Sequence, residues 1–238
     1  FLMFSQMVEV FQKSGRAVPV FNDKALSHDW HQARWMVQQS HDLGFPLLAG
    51  STLAVTFRRP ELEFPVGTHL EEAVAACGFG EPHIESGAFH GMELLQAMVD
   101  RRAGGETGIR SVQFLEGKAV WEAAERGAWS RSLLDAALTR GDGPPKGRME
   151  DVIKHPYALL VEYKDGLKGT IFSSSGYVGG YNFAARVRGQ AEPQSTQAYY
   201  VGENGNSFSC LADLFARMMK SGRPAFPPER TMLTCGAI

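Results

Sequence analysis

Two hydrophobic periods alternate in the opening fifty residues, and they predict helix, strand, helix and strand. An apolar residue recurs every third or fourth position from Phe4 to Phe11, which is typical of one helix face. Short apolar runs at residues 18–21 and 47–51 are typical of buried strands, and residues 28–43 between them read as helical. This rhythm predicts parallel strands joined by a crossover helix.

A turn-rich stretch at residues 58–67 interrupts this rhythm and predicts a domain boundary. Beyond it the pattern mixes helices with strands, and Asp165-Gly166 is a strong signal for a two-residue hairpin turn. One predicted helix begins near residue 89 or 90. Three more predicted helices cover residues 119–126, 131–140 and 208–219. The predicted strands cover 109–115, 157–163, 167–173, 183–188 and 196–201.

The predicted fold class is therefore α/β, with a partial Rossmann-like parallel unit followed by an α+β domain that holds a large, mostly antiparallel sheet. We place the C-terminal half of a nucleotide-binding domain at residues 1–57. We place a substrate-binding and oligomerisation domain at residues 58–238.

Composition limits which partners and which cellular setting to expect, but it does not identify the function. The chain has 238 residues, 44% hydrophobic, and a formal net charge of −2. That charge gives no electrostatic reason to expect nucleic acid or an anionic membrane as a partner. No apolar run approaches the roughly 20 residues that span a bilayer. Three widely spaced cysteines form neither a disulfide framework nor a metal motif, which favours a reducing, cytoplasmic setting.

Asn22, Asp23 and Lys24 form the first candidate site. They follow the strand at residues 18–21, and Ser27 is a good N-cap for the helix that comes next. Ligands bind at the carboxyl ends of strands in open parallel sheets, so these residues are placed to bind one. The residues alone leave an ordinary solvated loop lysine equally open.

A second candidate site combines two histidines with two glutamates: His83, Glu85, His90 and Glu93. His90 and Glu93 are three residues apart on one helix face, so the carboxylate can orient a ring that exchanges protons near neutral pH. A surface histidine paired with a glutamate is an equally open interpretation. The four residues could also bind zinc or manganese, but their spacing matches no rigid metal motif, and we expect no metal.

The order of strand, Asn-Asp-Lys-Ala-Leu-Ser, helix and Leu-Leu-Ala-Gly-Ser resembles the second half of the nucleotide-binding domain in the Gfo/Idh/MocA oxidoreductases. That family has Glu-Lys-Pro after a Rossmann strand, where this chain has Asp23-Lys24-Ala25. The closing segment at residues 228–234 is also similar to one near the end of such proteins.

The resemblance implies a role for each matching residue. Lys24 would lie near the nicotinamide and the substrate, and His90 would relay a proton with Glu93 beside it. Ser86 stands where the family has an aspartate. Asn22, Asp23 and Lys24 would be the cofactor-binding residues.

As a whole, the resemblance implies an oxidoreductase that uses NAD or NADP and acts on a hydroxyl or carbonyl carbon of a sugar or polyol. It also implies a homo-oligomer that forms through the sheet of the second domain. Because no Gly-x-Gly-x-x-Gly follows a first strand, we expect the chain to be a fragment that could be inactive alone.

Two other functions stay open. The changed Asp23-Lys24-Ala25 triplet and Ser86 are compatible with a nucleotide- or sugar-binding protein that has no turnover. The histidine and glutamate set is compatible, less well, with a metal-dependent isomerase or hydrolase.

Overall fold

The computed structural model describes residues 1–78, 84–143, 145, 147–199 and 206–238. The helices in these ranges are α1 (Leu2–Ser14), α2 (Trp30–Asp42), α3 (Ile84–Val99), α4 (Lys118–Glu125), α5 (Arg131–Leu138), α6 (Met149–Val152), α7 (Asn206–Ser221) and α8 (Glu229–Ala237). The strands are β1 (Val20–Asp23), β2 (Leu47–Gly50), β3 (Phe57–Arg59), β4 (Leu70–Cys77), β5 (Ile109–Glu116), β6 (Tyr157–Tyr163), β7 (Lys168–Ser173), β8 (Tyr181–Val187) and β9 (Gln194–Tyr199).

Contacts divide the chain into two compact units, and the first contains α1, β1, α2 and β2. Strands β1 and β2 pair in parallel, with Val20 opposite Leu47. Apolar residues of α1 and α2 pack on β2, which is buried along its whole length. The predicted rhythm of helix, strand, helix and strand is confirmed, and Gly15 ends α1 in the left-handed conformation.

Strand β1 begins and ends two residues later than the sequence predicts. Pro19 has no N–H to donate, and the first strand hydrogen bond runs from the Val20 N–H to the Pro46 carbonyl at 2.8 Å. Asn22 and Asp23 are therefore the last residues of the strand, and only Lys24 lies past its end.

The start of α2 also differs from the sequence prediction. Asp29 is its N-cap, because a carboxylate oxygen of Asp29 accepts the Gln32 N–H at 2.9 Å. The hydroxyl of Ser27, the residue predicted to cap this helix, accepts the Asp29 N–H at 3.2 Å instead and so supports the cap.

The closing helices α7 and α8 belong to the first unit, which corrects the predicted domain at residues 58–238. Helix α8 packs on α2, and its Thr231 hydroxyl donates to the Ala49 carbonyl in β2 at 3.1 Å. Met232 and Cys235 also pack on the apolar core of that unit. This core needs residues from both ends of the chain, and sequence order alone does not show that.

The period of apolar residues predicts that one face of α7 carries Phe208, Leu211, Ala212, Phe215 and Met219, but the structure buries a different face. Leu211 and Met218 are buried, whereas Phe208 and Met219 are exposed by 61% and 48%. The sequence offers apolar residues on two sides of this helix, and packing selects one of them.

The second unit is built on a seven-stranded sheet in the order β3-β9-β8-β4-β7-β6-β5. Only the β4–β7 pair is parallel, so the prediction of a large and mostly antiparallel sheet is confirmed. Helix α3 approaches Cys77 and Ile171, whereas α4 and α5 pack with Ala76 and Phe172. Neighbouring residues on a strand point to opposite faces, so these helices cover opposite faces of the sheet.

The sequence analysis missed β4, the strand that pairs with both β7 and β8. Its residues, Leu-Glu-Glu-Ala-Val-Ala-Ala-Cys, are rich in alanine and glutamate, which are depleted in strands. Small side chains fit here because helices pack on both faces. Within the described residues, no helix is long and apolar enough to cross a lipid bilayer.

Candidate functional site

Lys24 has an unusual backbone conformation at the carboxyl end of β1. Its φ is 70°, and among the described residues it is the only non-glycine residue with a positive φ. Two hydrogen bonds hold it there: the Lys24 N–H donates to the Gly50 carbonyl at 3.0 Å, and the Gly50 N–H donates back at 3.1 Å. A left-handed lysine costs free energy, and such strained residues cluster at functional sites.

The side chains of Asp23 and Lys24 form an ion pair at this strand end. Lys24 Nζ lies 2.7 Å from an Asp23 carboxylate oxygen, and the two side chains are 37% and 59% exposed. An ion pair this exposed adds little to stability. Lys24 Nζ also lies 5.8 Å from the centre of the Phe208 ring on α7, within cation–π range. A cation and a carboxylate are thus presented together at the ligand-binding end of a parallel pair.

Asn22 supports the turn that presents the ion pair. Its side-chain amide donates to the Ala25 carbonyl at 2.9 Å and so spans Asp23 and Lys24. Of the three predicted cofactor-binding residues, Asn22 therefore shapes the turn, while Asp23 and Lys24 carry the accessible charges.

His90 and Glu93 lie on α3 in the second unit, and their environments differ. His90 is partly exposed and packs edge-on against Tyr181 of β8, with 5.8 Å between ring centres. Glu93 is completely buried. A buried carboxyl group one turn from a partly exposed imidazole can orient that imidazole without competing for its ligand. Sequence reasoning placed both residues on one helix but did not anticipate Tyr181.

Two helical glycines let α3 lie close to the sheet near His90. A Cβ on Gly87 would lie 2.4 Å from the Tyr157 hydroxyl, and one on Gly91 would lie 2.6 Å from Cys77 Sγ. Helix α3 begins at Ile84, five residues before the predicted start, and so runs through Gly87 and Gly91 despite the low helix propensity of glycine. The spacing Gly-x-x-x-Gly was the available signal for this close approach.

The polar side chains beneath α3 stay uncharged near neutral pH. Burial raises the pKa of the Cys77 thiol to about 12, so this thiol is not a reactive nucleophile. Burial also raises the pKa of Tyr157 above its usual range, against the opposing effect of a hydrogen bond with Ser173. Cys77 and Tyr157 are therefore not candidates for acid–base chemistry near neutral pH.

The described members of the histidine and glutamate set on α3 differ in exposure. His83 lies outside the described residues, and Glu85 is exposed while Glu93 is buried. Across the described ranges, no group of three or more histidine, cysteine, aspartate or glutamate side chains is placed to hold a metal ion.

Comparisons of sequence give no relatives: no protein-family model and no curated protein matches the chain. Comparisons of structure do. A probable dehydrogenase from Thermotoga maritima matches with a TM-score of 0.56 and 16% identity, over 99% of this chain and 72% of that one. GenD2 from gentamicin A biosynthesis, solved in complex with NAD, matches with a TM-score of 0.53 and 15% identity, over 97% and 69%. Myo-inositol 2-dehydrogenase from Lactobacillus plantarum matches with a TM-score of 0.56 and 9% identity, over 98% and 71%.

These neighbours are dehydrogenases of the Gfo/Idh/MocA type, and the chain has their fold. The match extends through nearly the whole chain and covers about seven tenths of each neighbour. The fold class and the resemblance inferred from sequence are confirmed at this level. At these identities the likeness concerns the fold, so the roles of individual residues are matters of proposal.

Proposed function

We propose that this protein is an NAD(P)-dependent oxidoreductase that transfers a hydride between nicotinamide and a hydroxyl or carbonyl carbon of a sugar-like or polyol substrate. The observation that carries the proposal is the left-handed Lys24, which two hydrogen bonds to Gly50 hold at the carboxyl end of a parallel strand. The fold shared with a myo-inositol dehydrogenase, and with GenD2 solved in complex with NAD, supports the reaction class.

In this proposal Lys24 stabilises negative charge on the substrate oxygen. The held backbone sets the point from which the Lys24 side chain extends, and an ammonium group already near the substrate oxygen loses less free energy to reorganisation during the reaction. Asp23, 2.7 Å from Lys24 Nζ, limits the directions in which that ammonium group can point.

His90 is the proposed proton relay to the substrate oxygen, and Glu93 is the proposed residue that positions it. Histidine suits the role because its ordinary pKa lies near neutrality. Support comes from the contrast in burial: His90 is accessible to a ligand, and Glu93 is accessible only to its own neighbours.

The described residues fit one end of a nicotinamide nucleotide. Asn22, Asp23 and Lys24 would hold the nicotinamide end, where exposed polar groups face the ligand-binding edge of β1 and β2. The cofactor, NAD or NADP, would supply the hydride chemistry itself. No Gly-x-Gly-x-x-Gly follows a strand in this sequence, so we assign no residues to the pyrophosphate.

A binding protein without turnover is the second candidate, and Ser86 favours it. Ser86 lies on α3 one turn before His90, and a serine hydroxyl cannot act as a carboxylate base near neutral pH. Such a protein would bind the nucleotide or the sugar and leave both unchanged.

The test is Lys24→Met in the protein encoded by the complete gene, assayed with a panel of polyols. We expect turnover to fall by about two to three orders of magnitude, the usual cost of losing one group that stabilises an oxyanion. Nucleotide affinity should change much less. Lys13→Met is the matched control, because Lys13 is an exposed lysine on α1 whose ammonium group lies 3.5 Å from Glu9 one turn earlier.

Near-normal turnover in Lys24→Met would overturn the assignment. Binding of nicotinamide nucleotide by the unmodified protein, without any change in nicotinamide absorbance for any polyol, would favour the binding protein instead.

A further inference from the structure

One edge of the large sheet is unprotected against strand pairing. Strand β5 is eight residues long and lies at the end of the strand order; no strand in the described ranges pairs with its outer side. It contains neither proline nor lysine, the residues that commonly guard such edges. The opposite edge strand, β3, has only three residues, two of them arginines, and Pro60 follows directly.

The hydrogen-bonding groups on the outer side of β5 belong to alternate residues. The Gly117 N–H donates to the Pro156 carbonyl at 2.9 Å, in the same register that pairs Val112 with Val161. Because the direction alternates along an antiparallel strand, residue 113 points its N–H and C=O toward β6. Those of Val112, Phe114 and Glu116 point outward.

The same residues present apolar side chains. Val112 and Phe114 are 38% and 42% exposed, and they project from one face of the strand because they are two residues apart. An exposed strand edge with apolar side chains is a surface that another strand can cover.

The sequence of β5 is complementary to its own reverse. When two copies are aligned antiparallel about Gln113, Val112 faces Phe114 of the other copy twice, and Arg110 lies beside Glu116 twice. In this register Val112 and Phe114 form hydrogen-bonded pairs, as their outward groups require. A shift that centres the pairing on Phe114 would instead place Glu116 opposite Val112 and lose the charge match.

A bulge sets the length of this pairing. The register with β6 shifts between Ile109 and Ser111, so regular pairing on the outer side ends near Arg110. Arg110 remains 57% exposed, with its guanidinium group 3.0 Å from Glu162 and donating to the Lys164 carbonyl at 3.0 Å. The regularly paired segment is therefore residues 111–115, and the opposite charges of Arg110 and Glu116 flank it.

We propose that two copies of this chain associate edge to edge through β5, antiparallel about a two-fold axis at Gln113, and so form one continuous sheet. The occupant of this edge is a second copy, because the apolar and charged residues of the strand match those of its own reverse. This inference does not depend on the proposed function, and it specifies which part of the second-unit sheet would mediate self-association.

The test is oxidative cross-linking of Gln113→Cys in a Cys210→Ser/Cys235→Ser background. Residue 113 would face its own copy in a non-hydrogen-bonded pair, where the Cα atoms lie about 4.5 Å apart, within disulfide range. Val112→Cys is the matched control, because residue 112 would face residue 114 and lie about 7–8 Å diagonally from its own copy. We expect at least about tenfold more disulfide dimer from Gln113→Cys than from Val112→Cys, the discrimination that this geometry implies.

Sedimentation of the 238-residue chain tests the same contact without cysteines. Glu116→Lys should weaken dimerisation about tenfold or more, because each lysine would lie beside Arg110 of the other copy. Glu125→Lys on α4 is the control and should leave dimerisation unchanged. A monomer at all concentrations, equal cross-linking at 112 and 113, or equal effects of the two lysine substitutions would each overturn the proposal.

Discussion

Single residues at the base of α3 decide how closely this helix lies on the sheet. Gly87 faces the Tyr157 hydroxyl, and a Cβ built there would lie 2.4 Å from it, while the next Tyr157 atom is 3.7 Å away. The clash therefore involves one oxygen atom. His90 lies one turn further along the same helix, so this contact also helps to set the position of the proposed proton relay.

We expect Gly87→Ala to destabilise α3 by about 1–3 kcal/mol, the usual cost of overpacking. In a Tyr157→Phe background the hydroxyl is gone, and the same change should be neutral or stabilise by up to about 1 kcal/mol through helix propensity. Hydrogen exchange of the α3 amides measures both effects. An equal cost of Gly87→Ala in the two backgrounds would show that the hydroxyl does not set the helix position.

The residues of the candidate site were predictable to different degrees. Lys24 stands out in sequence because an apolar run precedes it and a helix start follows it. Its left-handed backbone could not be foreseen, since that depends on two hydrogen bonds to Gly50, which is distant in sequence. Tyr181 could not be foreseen either, because β8 reaches His90 only after the sheet has formed.

A buried arginine links the end of α3 to the β6–β7 hairpin. Arg102, only 2% exposed in its side chain, donates to an Asp165 carboxylate oxygen at 2.6 Å and lies 3.4 Å from Glu106. Burial acts to lower the pKa of Arg102, but its hydrogen bond to Asp165 and the charge of Glu106 outweigh that effect and raise it. Arg102 is thus held charged inside the unit, which excludes it as an accessible site for an anionic substrate.

Asp165→Asn should destabilise the second unit by about 1.5–3 kcal/mol at neutral pH, the usual value of a hydrogen bond to a charged group. Asparagine keeps the size of the side chain and suits the turn, so the change isolates the charge. Chemical denaturation measures the loss. Glu162→Gln is the control: it removes an exposed pair with Arg110 and should cost less than about 1 kcal/mol.

The effect of Asp165→Asn should also depend on pH. Burial acts to raise the pKa of Asp165, but the hydrogen bonds from Arg102 and from the Leu167 N–H outweigh it, so the pKa of Asp165 in the folded protein lies below its ordinary value. Stability from this group is therefore complete above the unfolded value and is lost as pH falls through the folded pKa. The difference between Asp165→Asn and the unmodified protein should shrink below about pH 4. A difference that persists in strong acid would assign the effect to packing.

Whole elements were predictable where the local pattern agrees with the tertiary structure. The β6–β7 hairpin, β5, α4 and α5 were found because their periods and turn residues are unambiguous. Strand β4 and the first turn of α3 were missed because alanine, glutamate and glycine occupy positions that only the packed sheet explains. Small side chains in these elements serve close packing, which a propensity-based prediction does not include.

At the scale of the whole molecule, the first unit is assembled from both ends of the chain. Its apolar core joins α1, α2 and β2 to residues of α8. The second unit starts at Thr56, beside the boundary predicted after residue 57, but no sequence pattern indicates that α7 and α8 belong to the first unit. The sequence of an amphipathic helix shows which of its faces is apolar but not which surface that face packs against.

This division predicts where a distant substitution acts. Thr231 is fully buried and donates to the Ala49 carbonyl, so Thr231→Val removes a hydrogen bond worth about 1 kcal/mol from β2. Amide exchange in β1 and β2 should rise about fivefold, while exchange in β6 and β7 stays unchanged. Thr196→Val is the converse control, because buried Thr196 donates to the Pro60 carbonyl inside the second unit at 2.6 Å. It should accelerate exchange in the second unit alone. Equal acceleration of both units by either substitution would mean that the chain opens as one cooperative body.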